Sequence, residues 1–207
     1  MCIAELFAVT KDATLAICAV VGMYVALRGL NTWNRQLKGG VEYELTRRLL
    51  RCTYKLREAI KTVRNPVMFG IEMPNPPEEE RKKMSAEEQR YYGTSQAYQR
   101  RWDKVSEARS ELQTELLEAE VLWGKIIYEQ FEPLFKLQQE LFADVHSYLV
   151  VCNPEEHEKS REVMSEIRRK RREVLYSMFG DMPDAFSDDI EKTISDIENF
   201  LKPHLRK

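Results

Sequence analysis

Between Asp12 and Arg28 the chain runs for fifteen residues, Ala13 to Leu27, without a charge, in a sequence where 32% of the residues are charged. Such a run must be covered by lipid or by other helices, since apolar surface left in water costs about 25 cal/mol per Å². As a helix it is roughly 22 Å long, against a bilayer core of about 30 Å. Letting Arg28 snorkel to the head groups extends the run to Leu30 and sets Trp33 at interfacial depth. Residues 13–30 are therefore a predicted transmembrane helix after a short N-terminal tail, residues 1–12. A buried helix of a soluble bundle is the competing reading of the same run. A cleaved signal peptide is disfavoured because the first ten residues carry no Lys or Arg, and Ile17 before Cys18 is too large for a lipoprotein cleavage site.

The flank adds orientation. Residues 28–64 hold ten Lys or Arg against three Glu, a charge of +7, whereas residues 1–27 sum to -1. Lys and Arg close to a membrane face the cytoplasm, which predicts an N-out, C-in single pass in a plasma membrane. In the basic juxtamembrane stretch, residues 31–64, apolar side chains recur at Leu45, Leu49, Cys52, Leu56, Ala59 and Val63, spaced 4, 3, 4, 3, 4. That is the seam of a helix packing on another helix. Arg47, Arg48, Arg51, Lys55, Arg57 and Lys61 occupy the other faces and form a candidate site for anionic lipid.

The stretch Trp33-Asn34-Arg35-Gln36-Leu37-Lys38-Gly39, with Tyr43-Glu44-Leu45, Arg47-Arg48-Leu49-Leu50-Arg51, Tyr54-Lys55-Leu56-Arg57 and Val63-Arg64-Asn65-Pro66, resembles an uncharacterised group of bacterial single-pass membrane-anchored helical proteins. The resemblance implies a bacterial inner-membrane location with the bulk of the chain cytoplasmic. It brings no activity and no site residue with it.

Residues 65–84 contain Pro66, Pro74, Pro76 and Pro77 and read as a linker, after which residues 85–207 form a helical cytoplasmic domain. Ser85 and Glu88 form a capping box at its start. Tyr98, Trp102, Val105, Leu112, Leu116, Ala119, Trp123 and Ile126 extend the seam rhythm, with Arg109 interrupting it, and Pro133 predicts a kink or stop. Asn153-Pro154 reads as the start of a further helix running toward Gly180, and a last helix is expected from about Ser187 to Pro203. With only 16 Gly and Pro residues and no alternating strand pattern, the chain reads as all-α: an N-terminal membrane helix followed by a helical bundle or long hairpin with coiled-coil-like seams.

Chemistry-bearing constellations are sparse. Arg168-Arg169-Lys170-Arg171-Arg172 could grip phosphates, but consecutive helical residues point all round the cylinder, and Glu158, Glu162, Glu166 and Glu173 stand at pairing distance. None of His146, His157 or His204 follows a Glu at i-3, so no metal set is read. No phosphate-cradling glycine loop and no nucleophile elbow occurs, and no cofactor is expected. Cys2, Cys18, Cys52 and Cys152 are widely spaced and read as reduced thiols. The expected function is a membrane-anchored scaffold or interaction module with a protein partner or self-association. The alternative is a peripheral protein that binds anionic lipid or nucleic acid through residues 47–64 and 168–172.

Overall fold

A computed structural model describes residues 3–177 and 184–205, with the side chains of 3–14, 16, 31, 32 and 34–38 outside the description. Among the described residues the structure is all-helical: α1 (Ile3–Arg64), α2 (Glu78–Arg81), α3 (Ala86–Trp123), α4 (Ile126–Cys152), α5 (Glu158–Lys170) and α6 (Ala185–Leu201), then a 3-10 turn at Lys202–Leu205. α1 passes from the apolar run into the basic stretch without interruption. Among the described residues no helix is long and apolar enough to cross a membrane. The beginning of the expected span, Ala13, Thr14 and Ala16, lies outside the described side chains, as do Arg35 and Lys38 of its flank.

The second half of α1 packs against α3 and α6, α3 packs against α4, and α4 against α6, which closes a ring of four helices. Paired residues give the directions. Arg48 meets Glu115 while Arg101 meets Asn65, so α3 is antiparallel to α1. Trp102 meets Phe142 at a tilt and Tyr98 meets Tyr148 edge-on, so α4 reverses again, and Arg64 to Asp184 with Tyr54 to Glu198 runs α6 back down. The result is an up-down-up-down four-helix bundle, with α5 lying outside it against α4.

The α1 seam is buried at Leu45, Leu49, Cys52, Leu56, Ala59 and Val63. A second buried row, Thr46, Thr53 and Ile60, recurs every seven residues beside it. Two of its members are threonines, which fit because each hydroxyl donates to the carbonyl four residues back, Thr46 to Glu42 and Thr53 to Leu49, both at 2.7 Å. In α3 the buried row is Tyr98, Arg101, Val105, Ala108, Leu112, Leu116 and Ala119. Trp102 and Trp123 are only partly buried beside it, and Ile126 is 50% exposed, which corrects their expected place in the seam. The buried row runs through Arg101 and Ala108 in place of the neighbouring Trp102 and Arg109, one residue earlier at each turn.

Helix ends follow local chemistry. The Ser85 hydroxyl accepts from the Glu88 amide while the Glu88 carboxylate accepts from the Ser85 amide, the expected capping box. α3 stops at Gly124, whose φ of 73° suits glycine, and not at Pro133, which lies inside α4. Asn153 ends α4 and does not begin α5. Its Oδ1 accepts from the Glu155 amide in a turn, and His157 caps α5 instead. α5 ends at Lys170, short of the expected stop at Gly180, which lies outside the described residues.

Candidate functional site

The predicted cationic collar is largely engaged by carboxylates of neighbouring helices. Arg48 donates to Glu115 at 2.9 Å and also holds Glu118, and Lys55 holds Glu111 at 2.7 Å. Lys61 reaches Glu191 of α6 at 2.8 Å, and Arg57 pairs with Glu58 while lying over the Tyr54 ring. Arg47 pairs with Glu44 one turn back, and Arg51 is exposed with no ion-pair partner among the described residues. Each such exposed pair contributes about 0–1 kcal/mol. Their larger effect is to spend the positive potential that an anionic lipid surface would need, and the acidic faces of α3 and α6 are what neutralise it.

The second cluster is divided in the same way. Arg172 forks between Glu140, at 2.7 and 2.8 Å, and Asp189, and its guanidinium lies over Phe186. Arg168 sits 3.5 Å from the buried Asp144 and over the Tyr148 ring, which ties α5 to α4. Burial raises the Asp144 carboxyl above its usual value, with Arg168 opposing the shift. Lys170 pairs with Glu166, and Arg169 and Arg171 remain exposed, so the five cations do not form one phosphate-facing stripe.

Two arginines are completely buried, and both clamp chain segments. The Arg101 guanidinium donates to the Asn65 and Val67 carbonyls and to both oxygens of Glu72, at 2.6–3.0 Å, and so fixes the first part of the linker against α3. The Arg101 hydrogen bonds hold the Glu72 carboxyl down at about 2. Arg64, the last residue of α1, donates to the Val174 and Tyr176 carbonyls, to Ser187 Oγ and to Asp184, and stacks on Phe186 at 4.7 Å. Asp184 also caps α6 by accepting from the Ser187 amide. Burial pushes the Asp184 carboxyl up, but the bonds from Arg64 and Ser187 outweigh it and bring the value to about 2. With Nε, Nη1 and Nη2 all engaged and both side chains buried, these residues hold chain segments together inside the bundle.

Arg109, the interruption in the expected seam, lies over Phe135 and donates to Gln138 at 2.6 Å. Among the described residues no group of three or more His, Cys, Asp or Glu is placed to hold a metal ion, and Cys18, Cys52 and Cys152 are free thiols. An open groove of about 850 Å³ runs along α1 and α3 beside Leu205, lined by Tyr43, Leu50, Tyr54, Ala59 and Ala108, with Arg47 and Arg51 toward one end. Sequence reasoning marked Arg47, Arg51 and Lys55 but not the groove, since its α3 wall comes from residues more than forty positions away. No family model, curated protein or solved structure matches the chain.

Proposed function

We propose that this chain is a helical scaffold attached to a bacterial inner membrane through the first half of α1, presenting its four-helix bundle to protein partners in the cytoplasm. One observation carries the reading. Leu15, Ile17, Val20, Val21, Met23, Tyr24, Val25, Leu27 and Leu30 are all at least 55% exposed, on every side of the helix. A helix apolar all round belongs in a membrane or in a protein core, and among the described residues the chain packs nothing against it. The +7 flank supports an N-out orientation, and the short uncharged run calls for Arg28 to reach the head groups. The competing peripheral reading, through anionic lipid or nucleic acid, has less support because Arg48, Lys55, Lys61, Arg168 and Arg172 are bound to carboxylates. Alkaline carbonate extraction of membranes containing the full chain tests the anchor: the chain is expected in the pellet, and release into the supernatant overturns the proposal.

A further inference from the structure

The groove between α1 and α3 follows α1 from Tyr43 to Thr62, about 28 Å at about 1.5 Å per residue, the length of a helix of about 18 residues. Its floor is apolar, formed by Leu50, Ala59 and Ala108. The groove is open along its length, a shape that seats the apolar stripe of a helix and would leave a single acyl chain wet on one side. Charge is sorted along it. The Tyr43 end carries Arg47 and Arg51 without a lining carboxylate, while Glu58, Glu107 and Glu111 lie toward the Thr62 end with Lys55 and Lys104. Glu111 is already held by Lys55, and Glu58 by Arg57, so that end is close to balance; at the Tyr43 end Arg47 shares an exposed pair with Glu44, and Arg51, with no ion-pair partner among the described residues, is the cation left over.

A helix carries its negative dipole end at its C-terminus, and acidic side chains in its last turns would add to that end. We propose that the groove binds an amphipathic helix of a partner protein, apolar on one stripe and acidic in its last two turns, lying antiparallel to α1 with its acidic end on Arg47 and Arg51. The proposal rests on the scaffold reading and supplies the class of partner. The membrane segment takes no part in the contact.

The test uses the full chain in lipid nanodiscs and two labelled synthetic peptides of identical composition, each about 18 residues long. One has a leucine stripe, lysines in its first turns and glutamates in its last two, and the other has the charge order reversed. Fluorescence anisotropy is expected to show the first peptide binding roughly tenfold more tightly than the second. The double variant R47E/R51E, with helicity checked by circular dichroism, is expected to invert that preference. Both residues are exposed, so the bundle does not depend on them. Binding of neither peptide, equal binding of both, or an unchanged preference in the double variant overturns the proposal. Displacement of the bound peptide by oleate would also overturn it, by assigning the groove to a lipid chain. Any of these results leaves the carbonate extraction result standing, so failure of the groove and failure of the anchor are told apart.

Discussion

The two halves of α1 are one continuous helix with opposite environments. From Leu45 to Arg64 the inward positions are buried, and the outward Arg48, Lys55 and Lys61 are met by acids of α3 and α6. From Leu15 to Leu30 every described large apolar side chain is exposed, and no other element packs on them among the described residues. Helix continuity therefore says little about what stabilises either half. Among the described residues the first half has no packing partner, whereas the second packs on α3, α6 and the 3-10 turn after it.

Truncating Arg64 to Ala should give the largest loss. It takes the guanidinium away from Asp184, which keeps its Ser187 bonds, and from the Val174 and Tyr176 carbonyls, and breaking a buried pair costs about 3–5 kcal/mol. A urea titration of the full chain in mild detergent reads this as a large fall in midpoint, and a change below about 1 kcal/mol would mean that water replaces the clamp. Leu49→Ala, in the fully buried seam, should cost about 3 kcal/mol by the cavity it leaves, whereas Val20→Ala in the exposed half should stay within about 0.5 kcal/mol in the same titration. Equal losses at the two positions would erase the distinction between the halves.

The smaller effect is on pH. Glu72 and Asp184 titrate at about 2 in the folded chain, below the usual value near 4 for carboxylates in an unfolded one. Their contribution is thus complete above about pH 5 and is lost as pH falls toward 2. The urea midpoint should drop across that window, with a shallower drop in Glu72→Gln. If the variant and the parent chain fall in parallel, Arg101 does not depend on the Glu72 charge.

How much was legible varies by residue. The α1 seam, the capping box at Ser85 and the final helix could be read because they depend on periodicity and on neighbours within four positions. The α3 seam was half legible: a spacing of 3 and 4 passes through Arg101 and Ala108, but apolarity points to Trp102. The groove and both clamps were hidden, because each joins residues from separate helices or linkers, as Arg64 does with Asp184 across 120 positions.

The sequence by itself determined that residues 13–27 are uncharged on all sides and that Leu45 to Val63 carry a packing seam, since these follow from order along the chain; that both lie on one helix from Ile3 to Arg64 was shown by the structure. Only the tertiary structure decided which cations remain available. Arg48, Lys55, Lys61, Arg168 and Arg172 are spent on carboxylates, while Arg51 is left beside an apolar groove. Charge along a chain is additive, but its field is set by which opposite charges folding brings within about 4 Å.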